Sequence, residues 1–239
     1  MIGLGEVVRA PGWVGVLCVV AGLSDATAFA QAAGPPALGP RRLAVGGGLV
    51  LASGYPIGES VAHLRTNATG SAPPPFAWFA ADSRMKASPG IGLRVEYALT
   101  ESVAIEGSGS FARPIIGVSL SQDAEAVAER IDGETLHQLV VEAGATWQLP
   151  LRLGRRVAPF LAGGAGYVRQ LHEERTLVET GQVYSAGGGA RYWLRGGRGT
   201  VRPVGVRADV RAAWRRHGID FANKTRVFPT ATISLFVGL

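Results

Sequence analysis

Cysteine, charge and long apolar runs are all scarce in this 239-residue chain. The single cysteine, Cys18, excludes an intramolecular disulfide and any cysteine-based metal cluster. Charged residues make up only 18% of the chain, and the excess of lysine plus arginine over acids, 24 to 18, never gathers into a basic block. A nucleic-acid footprint is therefore unsupported. Beyond the first 30 residues no apolar run approaches the roughly 20 residues that a spanning helix needs. Yet 47% of the residues are hydrophobic and 34 are glycine, so the apolarity has to lie in a pattern rather than in runs.

The N-terminus is a separate matter. Arg9, the apolar stretch Trp13 to Leu23 and the small-x-small triplet Ala28-Phe29-Ala30 follow the order of a secretory signal peptide. The expected organisation is a signal peptide over 1–30, a linker over 31–41 and one domain over 42–239. The mature chain would be exported and free of cysteine.

From Ile91 onward the apolar residues alternate. Ile91, Leu93, Val95, Tyr97 and Leu99 share one phase, with Arg94 and Glu96 on the other. The same period recurs in 103–111, 136–149, 203–216 and 227–239. With 42–53, 157–170 and 181–194, where glycine blurs the phase, it predicts about eight strands. Joins near 99–102, 149–156 and 195–202 are short, and those over 54–88, 113–135, 171–180 and 217–225 are longer. This sorting predicts an all-β chain forming an eight-stranded antiparallel up-and-down transmembrane β-barrel, with tight turns at one rim and loops at the other. Within the loops, Pro73-Pro74-Pro75 reads as a stiff segment ahead of exposed Phe76, Trp78 and Phe79. Ala124, Val127, Ala128 and Ile131 fall at the spacing of a short helix starting near Ser121.

One face of these strands carries aliphatics with Tyr97, Trp147 and Trp214 near strand ends, as membrane-interface aromatics would be placed. The opposite face collects Arg94, Glu96, Glu106, Glu142, Arg191, Arg207, Asp209 and Arg211. In a narrow lumen these mixed charges would have to pair, giving a structural network. A soluble carrier would point its aliphatics inward instead. The glycine-rich stretch Ala158–Leu171 lacks the spacing of a phosphate-binding loop and no Lys-Ser/Thr follows it. It reads as a strand whose glycines leave room for Glu142 and Arg191, with the phase of Phe160 open.

The segments "VAPFLAGGAGYV", "YALTESVAIE" and "GGGARYWL", with the alternating last strand, resemble the small outer-membrane β-barrels of Gram-negative bacteria, the OmpA-like, opacity-protein and OmpW-like superfamily. The resemblance covers about 42–239. It implies an outer-membrane location, outer-membrane lipid and lipopolysaccharide as neighbours, insertion by the barrel-assembly machinery, and a monomer. Leu239 stands where such chains usually end in an aromatic, with Phe236 on the other phase.

The histidines His63, His137, His172 and His217 lack metal-helix spacing, so no metal, cofactor or catalytic residue is assigned. The expected role is envelope structure or surface interaction without enzymatic activity. The alternatives are a narrow channel for small or hydrophobic solutes and a lipid-modifying enzyme that sets His137 with Glu134 against Ser119, Ser121 or Thr135.

Overall fold

The computed structural model describes residues 42–64, 76–121, 130–151, 156–172, 177–195, 202–221 and 224–239. The expected signal peptide and linker lie outside these residues, as do the three prolines at 73–75. The described residues form twelve strands and no helix: β1 (Leu43–Ala52), β2 (Tyr55–Leu64), β3 (Phe76–Met85), β4 (Ser88–Ala98), β5 (Val103–Ala112), β6 (Ile115–Ser121), β7 (Arg130–Thr135), β8 (His137–Gln148), β9 (Val157–Leu171), β10 (Val178–Arg195), β11 (Val204–His217) and β12 (Arg226–Gly238).

Eight of them close into an antiparallel barrel in the order β1-β12-β11-β10-β9-β8-β5-β4. Strand β1 pairs with β4 on one side and β12 on the other, Ala44 facing Gly238 and Leu43 facing Tyr97. Closure leaves the barrel without a free edge. The eight strands predicted from alternation are these eight, with ends shifted by a few residues.

Alternation sets the two faces. On β11, Gly205, Arg207, Asp209, Arg211, Ala213 and Arg215 are buried, while Ala208, Val210 and Trp214 between them are exposed. On β4, Ile91, Leu93 and Val95 point outward, Leu93 with 71% of its surface exposed. The 99–102 join is a tight turn in which the Thr100 hydroxyl accepts hydrogen bonds from the Ser102 and Val103 amides at 3.3 and 3.0 Å.

Two of the long joins are not loops. Within the spans 54–88 and 113–135, β2 pairs with β3 and β6 with β7, and the four form a second sheet in the order β2-β3-β6-β7. Phe76, Trp78 and Phe79 therefore lie on a strand rather than in a loop. The short helix expected near Ser121 is corrected at both described ends, since Ser121 closes β6 and Ile131 lies in β7. Residues 124, 127 and 128 lie outside the described residues.

The glycine-rich stretch is β9. Phe160 is inward and 1% exposed, which settles the phase: Leu161, Ala165 and Tyr167 face out, and Ala158, Ala162, Gly164 and Gly166 face in. A Cβ at Gly166 would lie 2.6 Å from Glu142 Cγ and collide with the Val141 carbonyl. Glycine there lets β8 and β9 approach while a long acidic side chain occupies the space.

Candidate functional site

The strand phases fill the lumen with polar and charged side chains in three levels. Nearest the short-turn rim, Trp193 packs edge-on against Phe236, ring centroids 4.9 Å apart. Above them Phe160 lies under two guanidinium groups, Arg207 at 4.2 Å and Arg191 at 5.2 Å from its centroid. Such stacking gives the cations an apolar floor and a favourable quadrupole.

Over this floor seven charged side chains join four strands. Glu96 on β4 accepts from Arg191 Nη2 at 2.7 Å and from Arg207 Nη1 through its other oxygen. Glu106 on β5 accepts from Arg207 Nη2 at 3.0 Å and Arg211 Nη2 at 2.6 Å. Asp209 accepts from Arg211 Nε at 2.8 Å, and from Arg207 Nε and Arg94 Nη1 at 3.3 Å each. Every oxygen of the three carboxylates thus accepts from a guanidinium, the two oxygens of each from different arginines, and this full pairing makes burial of the charges tolerable. Arg207, in contact with all three acids, is 1% exposed. Glu142 stands apart and accepts from the Ser185 hydroxyl at 2.9 Å. With it, the eight lumen positions named from sequence carry four cations and four anions, and Arg215, also inward on β11, adds a fifth cation beneath the cap.

The third level is a cavity of about 100 Å³, bounded below by Arg94, Arg211 and Glu142 and above by Val183, Ala213 and Phe228. These last three belong to an apolar cluster that includes Tyr55, Ile57 and Met85 of the second sheet, together with Ile116, Leu136 and Ile219. The cluster caps the mouth on the long-connection side. Sequence reading missed the cap because Tyr55, Ile57, Met85, Ile116 and Ile219 come from segments read as loops. The signal was present in the phase-matched pair Tyr55 and Ile57.

Under the cap, the Tyr55 ring stacks on Phe228 at 4.5 Å, and the Arg215 guanidinium lies 4.8 Å from the Tyr55 centroid. Burial raises the Tyr55 hydroxyl above the ordinary tyrosine range, against the lowering effect of Arg215. A tyrosine that holds its proton longer folded than unfolded supports the cap below the unfolded value of about 10 and loses that contribution as pH rises beyond it. Titration of tyrosinate absorbance should show one residue ionising late in the folded protein, and Tyr55→Phe should remove that step.

On the outer wall Tyr97, Trp147 and Tyr192 lie toward the short-turn rim, and Tyr167, Tyr184 and Trp214 toward the other; all six are exposed. Tyr184 and Tyr192 are eight positions apart on β10. That is about 26 Å along a strand and about 20 Å of height at the usual tilt. Between them the exposed side chains are aliphatic, alanine or glycine.

The histidines do not converge as the enzyme alternative requires. His137 stacks on Phe111 at 6.0 Å, while Glu134 lies 2.5 Å from His172 Nδ1. No described serine or threonine bonds to either ring.

No protein-family model matches the chain, and no curated protein does. Among solved structures, the outer membrane protein OprG from Pseudomonas aeruginosa is similar at 12% identity and a TM-score of 0.44, over 82% of this chain and 95% of that one. Ail, the attachment invasion locus protein of Yersinia pestis, is similar at 12% identity and 0.38, over 82% and 97%. The architecture rests on this chain's own strand ladder, which makes it an all-β protein built on a closed eight-stranded antiparallel barrel.

Proposed function

We propose that the chain is a bacterial outer-membrane β-barrel that stays closed to solute flow and holds the β2-β3-β6-β7 sheet beyond the bilayer as an envelope or surface-interaction element. The observation that supports this reading is the inversion of the two faces. Aliphatics with an aromatic row at each end point outward, and charges point inward. A water-soluble barrel has no use for an exposed apolar wall of that height, whereas a bilayer core of about 25 Å matches it. Arg207 and Phe160, each 1% exposed, lie within the lumen, which supports an interior filled by side chains rather than a water-wide path.

The test is membrane fractionation with a heat-modifiability gel, followed by planar-bilayer recording. The expected result is detergent-dependent extraction, a mobility shift on boiling and no single-channel current. Release into the soluble fraction would defeat the membrane reading, and steady currents would defeat the closed one.

A lipopolysaccharide contact belongs to the same reading. Arg169 and Arg216 are exposed two positions beyond Tyr167 and Trp214, on the long-connection side, where lipid phosphates would lie. Replacing both by glutamate should weaken binding to lipopolysaccharide-containing vesicles at low salt and leave binding to phosphatidylcholine vesicles unchanged. Insertion by the barrel-assembly machinery and a monomeric state are part of the proposal.

A further inference from the structure

The chain's positive charge, scattered along the sequence, is gathered by the topology. Residues 41–42 ahead of β1, the connection 149–156, and residues 195–203 between β10 and β11 hold eight arginines and no acid. The 99–102 turn adds only Glu101. The 24 basic and 18 acidic residues of the chain therefore leave 16 and 17 elsewhere, and the whole net charge of +6 comes from segments that enter or leave barrel strands at the short-turn rim. Arg42, Arg156 and Arg202 are exposed there. Among the described residues, none of their guanidinium groups takes part in a hydrogen bond or ion pair. On the long-connection side, by contrast, Asp220 holds Arg226 at 2.6 and 2.9 Å. The Arg42 carbonyl accepts from the Ala98 amide at 2.7 Å, one step past the pair Leu43 and Tyr97. The Arg156 carbonyl accepts from the Trp193 amide at 3.0 Å, one step past the pair Val157 and Tyr192. Both arginines thus stand just beyond the exposed aromatic row, the level at which lipid phosphates lie.

We propose that this arginine collar binds the phosphate headgroups of anionic phospholipids in the leaflet around the short-turn rim. The proposal rests on the membrane reading above, in which that rim faces the periplasm. Guanidinium groups suit the task because their paired donors match phosphate oxygens. The spacing favours lipid over a protein partner. Arg42, Arg202 and Arg156 precede β1, β11 and β9, alternate strands of the arc β1-β12-β11-β10-β9. They are therefore about 10 Å apart across the strands. Separate headgroups ranged along a wall meet such a row, whereas a compact acidic partner needs its cations in one patch.

The full chain is reconstituted into phosphatidylcholine vesicles holding a minor share of phosphatidylglycerol, with bromine on the acyl chains of one lipid or the other to quench tryptophan on contact. Trp147, 52% exposed near the short-turn rim, is read in a Trp214→Phe background, and Trp214 in a Trp147→Phe background. Brominated phosphatidylglycerol should quench Trp147 as though enriched about fivefold or more over its share of the bilayer at low salt. The enrichment should fade as salt is raised. Combining Arg42→Gln, Arg156→Gln and Arg202→Gln should lower it at least about threefold and leave the Trp214 signal unchanged. Arg42→Lys, Arg156→Lys and Arg202→Lys together should retain most of it. Quenching in proportion to lipid share would overturn the proposal while leaving the barrel in its membrane, and quenching by neither lipid would overturn both readings. Enrichment indifferent to the glutamine variant would also overturn it. So would proportionate quenching together with polyglutamate binding that the glutamine variant abolishes, a result that assigns the collar to an acidic protein.

Discussion

Arg207→Met should be the most damaging single substitution in the lumen, lowering unfolding stability in lipid vesicles by about 3–5 kcal/mol. The cost comes from what remains rather than from the bonds deleted. Glu96, Glu106 and Asp209 all meet at Arg207. Without it three buried carboxylates face only Arg94, Arg191 and Arg211, and the charge balance of the eight named positions turns acidic. Adding Glu106→Gln to the variant restores the balance of charge and should recover part of the loss. Such a non-additive cycle would identify the network as one unit. Raising salt should change the wild-type value little, because these groups lie beyond the reach of mobile ions. Urea-dependent unfolding followed by heat-modifiability measures all three. Strict additivity, or a loss below about 1 kcal/mol typical of surface pairs, would show that the ion pairs do not hold the barrel.

Leu93→Arg should cost about 2–4 kcal/mol in a bilayer, and Leu99→Arg no more than about 1 kcal/mol. Both side chains are exposed, 71% and 51% respectively, so burial alone does not separate them. Depth does. Leu93 lies in the middle of the outward aliphatic band, and Leu99 lies in the turn past Tyr97. An arginine at the first position sits in hydrocarbon, while at the second it reaches water. The measurement is the difference in unfolding free energy between the two variants in the same vesicles. Equal effects within about 0.5 kcal/mol are what a water-exposed surface gives, and would contradict a membrane-facing wall.

The barrel was legible because a period of two is hard to produce by accident over ten residues. The runs Ile91–Leu99 and Val204–Trp214 state both faces outright. What alternation does not carry is information about partners. Arg191 meets Glu96 across 95 positions and Arg207 meets Glu106 across 101, and these matches follow from the closure and stagger of the strands. Aromatic residues were ambiguous for another reason. Trp147 and Trp214 face outward, but Phe160, Trp193 and Phe236 face the lumen, where guanidinium stacking and ring-edge packing accommodate them. A rule that sends large apolar residues to the lipid misplaces them. The second sheet escaped detection because β6 and β7 are short and β2 and β3 are mixed in polarity. Arg130–Thr135 holds a single large apolar residue, Ile131, and pairing with β6 fixes its conformation where propensity does not.

The join between β1 and β12 also governs when the molecule can form. Ala44 is hydrogen-bonded alongside Gly238, so the first and last barrel strands are neighbours although almost the whole chain separates them. Closing so long a loop is the slow, entropy-limited event in folding, and it cannot begin until the final strand is available. Until then β1 and β11 each show an unpaired edge, and the arginines and acids of the lumen remain in water. Assembly is therefore timed by the C-terminal strand. Deleting β12 removes two ladders at once, those to β1 and β11, and leaves an open seven-stranded sheet with two adhesive edges.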